Sequence, residues 1–194
     1  LYELPLSLPP IKIKNADQDG ETFEPPETGR AGKITLMSEN PPAAQALTAQ
    51  AIPFRLFQHT RPVASLEQAA AERGQTPGQV VRSLLFRLGA GSFVMVLMPG
   101  QQQVSWPVLR AYLGQSRLSL ASQEEVLAVT GYRVGAVSPF GLPQPLRILA
   151  DESVFAEEEI SLGSGERGLA LILKTADVKR TIPDLEIGKF AELK

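Results

Sequence analysis

Residues 79–98 read QVVRSLLFRLGAGSFVMVLM. Two runs rich in Val, Leu, Phe and Met flank a GAGS turn at 89–92, and apolar runs parted by a glycine turn predict a hairpin of core strands. Upstream, Ser65 followed by Gln68 is a capping-box signature, so SLEQAAAERG predicts a helix that stops at Gly74. A helix over 43–51 and a strand over 54–58 precede it. Downstream, Pro99 and Gly100 break the second hairpin strand. Ser105 then caps a helix through WPVLRAYLG, which tolerates Pro107 in its first turn and ends at Gly114. Ser122 and Glu125 form a second capping box, for a helix stopping at Gly131. Short strands are predicted at 134–137, 146–150, 158–162 and 169–173, with Thr175 capping a last helix that Pro183 ends. Strands and helices intersperse without a regular βαβ repeat. The fold class is therefore α/β of the mixed α+β kind, a curved mixed β-sheet or partial barrel flanked by helices.

The chain has 194 residues, 43% hydrophobic and 21% charged, which suits one sizeable core. Residues 1–36 read differently, with Pro5, Pro9, Pro10, Pro25 and Pro26 among polar and acidic residues, and are expected to be an N-terminal extension or an added segment. The folded domain is expected over 37–194. No apolar run approaches the ~20 residues of a spanning helix, and no secretory signal pattern or cysteine points to an oxidising compartment, so a cytoplasmic location without membrane contact is expected. Zero Cys and one His, His59, argue against a structural zinc site, and no cofactor is expected. The net charge of −2 comes from the first 36 residues, leaving 37–194 with equal numbers of acidic and basic groups. Nucleic-acid contact would need a local patch, and nothing points to DNA. From 34 to 173 there are ten arginines and no lysine.

GSGERG at 163–168 matches the dinucleotide fingerprint by letter, but a strand-like LALIL follows where that fingerprint requires a helix. A tight turn between strands, its glycines supplying positive φ, is expected instead. Ser138, His59 and Asp151 could be drawn as a hydrolase triad, yet Ser138 lies in GAVSP and not in a G-x-S-x-G elbow; His59 reads as a hydrogen-bonded structural or surface residue. Glu157 to Glu159 read as a solvated edge. In VTGYRVGAVSPFGL at 129–142, Gly131, Gly135, Gly141 and Pro139 call for a loop whose backbone approaches something closely. Spacing alone favours a plain structural turn.

TGYRVGAVSPFGL resembles the glycine-rich loop of YbaK-type aminoacyl-tRNA deacylases, the family that includes the editing insertion domain of bacterial prolyl-tRNA synthetases. Gly135 to Pro139 matches its G-x-x-x-P element, VVRSLLF at 80–86 its lysine-bearing strand, and GSGERG its late glycine turn with Arg167. The similarity runs through roughly residues 45 to 193. It implies a trans-acting hydrolase that cleaves the ester of mischarged tRNA, typically tRNA for proline carrying alanine or cysteine, with aminoacyl-tRNA as substrate and an aminoacyl-tRNA synthetase as candidate partner. It further implies catalytic roles for Arg82, Ser83, Gly135, Ala136, Val137 and Ser138, the backbone amides of the loop holding the substrate's polar groups. Substrate contacts are implied for Gly131, Pro139, Phe140, Gly141, Gly165 and Arg167. An aminoacyl ester is already activated, so positioning and charge stabilisation suffice without a protein nucleophile or metal. The departure is Arg82, where the family has lysine: arginine keeps the charge but cannot shuttle a proton near neutral pH. The alternatives are a non-catalytic relative that binds tRNA or an aminoacyl group, and an accessory subunit docked through residues 1–36.

Overall fold

The computed structural model describes residues 40–89 and 91–192. The N-terminal extension expected over 1–36 lies outside the described residues. Helix α1 (Pro42–Ala49) leads into strand β1 (Arg55–Gln58). Helix α2 (Leu66–Glu72) begins at Ser65, whose side chain accepts the Gln68 amide; the Gln68 side chain takes the Ala64 N–H, so only half of the expected capping box forms. A short 3₁₀ turn, Pro77–Gln79, delivers the chain into β2 (Val81–Gly89), which turns back into β3 (Ser92–Pro99) as the predicted antiparallel hairpin.

Every residue from Val94 to Met98 is at 0% exposure, so β3 is covered on both faces. Met95 and Leu97 join one core cluster with Leu47, Leu162 and Leu171; Val94, Val96 and Met98 join another with Phe86, Leu109 and Phe190. Helix α3 (Trp106–Leu113) buries Leu109 and Leu113 in the second cluster and ends at left-handed Gly114. Ser105 stands at its N-cap without a side-chain capping bond, contrary to expectation; its own amide is drawn to the Phe190 carbonyl. After the two-residue strand β4 (Ser119–Leu120), α4 (Gln123–Thr130) carries the complete Ser122–Glu125 capping box.

Then come β5 (Arg147–Asp151), β6 (Glu159–Gly163), β7 (Leu169–Lys174), α5 (Thr175–Thr181) and β8 (Glu186–Gly188). Lys174 caps α5; Thr175 is its first residue and turns its hydroxyl to the Glu157 and Glu158 carbonyls. A five-stranded sheet runs β4-β2-β3-β5-β8 and a three-stranded sheet β1-β7-β6. The first is mixed, with β3–β5 and β5–β8 parallel and the other neighbours antiparallel. One parallel bridge, Val80 to Ser161, stitches the two sheets at the entry to β2. The Gln79 side chain reinforces it by donating to the Glu159 carbonyl at 2.9 Å. Beyond the bridge β2 and β6 diverge, and the gap between them is where the site forms.

The strand expected at 134–137 does not form. Gly135 adopts φ +91°, and the Ala136 amide turns back to the Arg133 carbonyl, so the segment is a loop. GSGERG is the β6–β7 turn, with Gly165 and Gly168 at positive φ as expected.

Candidate active site

Between the diverging strands lies a cavity of about 420 Å³. Val81 to Leu85 of β2 form one wall, the loop residues Val134, Gly135 and Val137 another, and Ser161 to Gly163 of β6, with Arg73, a third; Leu120, Ala121, Val126 and Leu169 add to the apolar lining. The ladder of β2 places its polar groups. Side chains alternate along a strand, so Ser83 shares a face with Val81 and Leu85 while Arg82 shares one with Leu84 and Phe86. Both line the cavity, but they reach it from opposite faces of the strand and do not face the loop side by side. The Arg82 guanidinium donates through Nη2 to the Gln102 carbonyl, its Nε is buried without a partner among the described residues, and burial pulls its pKa below the ordinary arginine value. Ser83 Oγ is likewise buried and unpartnered among them. Buried polar atoms of native proteins are nearly always satisfied, so an unpartnered Ser83 Oγ on a residue lining the cavity is suited to a ligand, while Arg82 Nε lies on the other face of the strand.

The loop wall is built from close backbone contacts. Gly135 and Val137 line the cavity, but Ala136 does not: it is 1% exposed, its amide goes to Arg133 and its carbonyl accepts the Gly165 amide at 2.9 Å. The amides of Gly135, Val137 and Ser138 have no acceptor among the described residues. Ser138 is fully buried, and its hydroxyl accepts the Phe140 amide at 3.3 Å across Pro139. Phe140 packs in the core, so neither it nor Ser138 offers a side chain to the cavity.

Gly131 is the left-handed stop of α4. At Gly141, at φ +67°, a Cβ would lie 2.8 Å from both the Pro42 carbonyl and Tyr132 Oη; at Gly165 it would lie 2.6 Å from the Tyr132 ring. These three glycines shape the loop without lining the cavity. Arg167 is exposed and clamps the loop from the β6–β7 turn, its Nε and Nη2 donating to the Val134 carbonyl at 3.2 and 2.9 Å.

Three residues that the sequence reading passed over complete the site. Gly163 ends β6 where a Cβ would lie 2.3 Å from the Val137 carbonyl oxygen and 2.6 Å from that of Ala136, so only glycine lets the loop approach. The signal was present in GSGERG, but its first glycine is needed for the missing side chain rather than for positive φ. Tyr132, buried, donates to the Phe140 carbonyl at 2.6 Å, and burial raises its pKa to about 12. Arg73 follows α2 and holds Ser161 on the β6 wall; its only sequence sign was a charge at the end of a short helix.

Ser138, His59 and Asp151 form no triad. Asp151 accepts the Ser153, Phe190 and Ala191 amides; burial pushes its carboxyl up, but these bonds and the Ser153 hydroxyl together hold it below the ordinary value. His59 sits between Glu72 and Arg73. Among the described residues, no group of three His, Cys, Asp or Glu is placed to hold a metal, and no helix is long and apolar enough to cross a membrane.

The family model described as "Aminoacyl-tRNA editing domain" matches residues 60–181. The multifunctional Ser/Thr-tRNA deacylase ProXp-y of Escherichia coli (strain K12) is 32% identical over 138 residues, spanning 69% of this chain and 82% of that protein. A proline–tRNA ligase of Thermosipho melanesiensis is 29% identical over 135 residues, but these cover 70% of this chain and only 23% of the ligase. A crystal structure of a candidate trans-editing enzyme for prolyl tRNA synthetase shares the fold with a TM-score of 0.72 at 22% identity, covering 80% of this chain and all of that one. The chain belongs to the aminoacyl-tRNA editing domain family, a family of trans-editing aminoacyl-tRNA deacylases.

Proposed function

We propose that the protein hydrolyses the ester joining a wrong amino acid to tRNA for proline, acting in trans, with the cavity between β2 and the 134–137 loop as its active site. The observation that carries this reading is the pair of cavity-lining loop residues Gly135 and Val137, whose amides have no acceptor among the described residues, opposite a strand wall with unpartnered Ser83 and a half-buried arginine. Water attacks the ester carbonyl carbon, the bond to the ribose oxygen breaks, and that oxygen leaves with a proton. Negative charge develops on the carbonyl oxygen, where pre-aimed amides act without reorganising. Ser83 positions the attacking water or the ester, and Arg82 is the positive anchor for the acceptor end. Ala136, Pro139 and Arg167 hold the loop in place. The likeness to part of a proline–tRNA ligase supports tRNA for proline as the carrier and a synthetase as the upstream partner.

A deacylation panel tests this: alanyl, cysteinyl, seryl, threonyl and prolyl esters on tRNA for proline and on a control tRNA, with the wild type, Arg82→Ala and Arg82→Lys. Arg82→Ala is expected to lower kcat/KM by about 10- to 100-fold, the loss of a charge-assisted contact of about 1.5–3 kcal/mol. Arg82→Lys keeps the charge and retains or raises activity. Equal rates for all three proteins would remove residue 82 from the reaction. Hydrolysis by the Lys variant alone would make the natural protein a binding relative without turnover. Turnover is also expected to survive EDTA.

A further inference from the structure

Behind the cavity runs a chain of partly buried polar contacts that the deacylase reading does not use. His59 Nδ1 donates to Glu72 Oε2 at 2.5 Å, which leaves Nε2 as an acceptor; Arg73 fills it from Nε and Nη2 at 3.2 and 2.9 Å. The remaining arm of the guanidinium, Nη1, donates to Ser161 Oγ at 2.8 Å. Each link fixes the next. The carboxylate sets the imidazole tautomer, the imidazole orients the guanidinium, and the guanidinium occupies one lone pair of the serine. Ser161 is at 0% exposure and fixed in backbone position by register with Ile172 and by the bridge to Val80. Its own hydroxyl hydrogen goes to no described residue, and the space that Ser161 lines is the cavity. A hydroxyl that accepts from a cation is polarised into a better donor, so the wall presents a directed O–H in surroundings that are otherwise mostly Val and Leu.

The acceptor that fits is small and neutral. The ester carbonyl belongs to the loop amides and the acceptor end to Arg82 in that reading, and the Ser161 surroundings are mostly Val and Leu; what remains is the side chain of the esterified amino acid. We propose that Ser161, oriented by Arg73, is a specificity-determining residue that hydrogen-bonds the side-chain hydroxyl of a seryl or threonyl ester. This rests on the deacylase reading and names its substrate class. A site built to bond a hydroxyl discriminates strongly against the analogue that lacks it, because its own buried polar group is then left unpaired; an apolar pocket separates the same two substrates far less. His59 and Arg73 act through Ser161 and are positioning residues.

The test is the ratio of kcat/KM for seryl over alanyl ester on the same tRNA, measured for wild type, Ser161→Ala and Arg73→Lys. The wild type is expected to favour the seryl ester by at least about tenfold, and Ser161→Ala to reduce that ratio by at least about tenfold. Arg73→Lys retains the serine but loses the fork, so the ratio falls by a smaller factor, an outcome independent of whether Ser161→Ala folds well. A purely structural role would lower both rates together and leave the ratio unmoved, which would overturn the proposal. So would a wild type that hydrolyses alanyl and seryl esters equally. Hydrolysis of no ester at all would instead sink the deacylase reading on which the proposal stands.

Discussion

The two principal walls of the cavity are held by different physics. The strand wall, Val81 to Leu85, is in continuous register with β3 from Val81–Pro99 to Leu85–Met95, and its inward side chains sit in the largest core cluster. The loop wall, Val134 to Val137, has no ladder. It is held by single contacts: Arg167 onto Val134, Gly165 onto Ala136, Tyr132 onto Phe140, and the bare backbone of Gly163 beneath Ala136 and Val137. A ladder spreads a perturbation over many bonds, whereas a wall of point contacts concentrates it. Side-chain changes on β2 should therefore alter chemistry without moving the wall, and changes under the loop should move the wall without touching the substrate.

The most severe break in that contrast is Gly163→Ala. A Cβ 2.3 Å from a backbone carbonyl has no flexible neighbour to yield, so the loop must lift or the strand must shift. Overpacking of this kind costs about 3 kcal/mol, and a displacement near 1 Å at the reacting centre costs ~100-fold in rate. Thermal unfolding and single-turnover deacylation read the two effects separately. A stable, fully active Gly163→Ala protein would mean that the loop does not depend on this approach.

Next in size is Tyr132→Phe. It leaves the buried Phe140 carbonyl without its 2.6 Å donor and is expected to cost about 1–3 kcal/mol. The same phenol carries a pH signature. Its pKa is raised from the ordinary tyrosine value to about 12 because burial disfavours the phenolate. A group whose folded pKa is raised contributes stability that is complete below the unfolded value and is lost as pH climbs through the folded one. Wild-type stability should therefore fall between about pH 10 and 12 with a contribution that the Phe variant lacks; parallel alkaline curves for the two proteins would contradict it.

Much of the strand wall was legible in the chain, because a β-hairpin is a local object. The apolar runs on either side of GAGS encode both partners of the ladder, and the Ser122–Glu125 box encodes the start of α4 within four residues. The loop wall was legible as a motif but misjudged as a structure. Val134 to Val137 has the composition of a strand, and only the left-handed Gly135 and the tertiary pull of Gly165 on Ala136 turn it into a loop. Arg73 and Ser161 were invisible for a further reason. They lie 88 positions apart, and neither carries a local pattern that distinguishes it from a helix-end charge or a strand serine. Two-residue β4 and three-residue β8 exist only by pairing with strands already formed, so no periodicity announced them.

The smallest expected effect, and the one that most sharpens the contrast, is at Arg167. Being exposed, its clamp on the Val134 carbonyl should contribute only about 0.5 kcal/mol to stability, so Arg167→Ala should unfold almost as the wild type does. Its effect on rate depends on which role the guanidinium plays. If it holds the loop, two N–H groups converging on one carbonyl matter; Arg167→Lys cannot reproduce that geometry, and both variants should lose about tenfold in kcat/KM, below the ~100-fold of a full 1 Å misplacement. If it meets a tRNA phosphate instead, Lys should restore the rate, and Ala should reduce the salt dependence of binding by about one counterion. The bonds to Val134 favour the first outcome. Rescue by lysine together with a shallower salt slope for Arg167→Ala would move this residue from the support of the loop wall to the surface that receives the acceptor end.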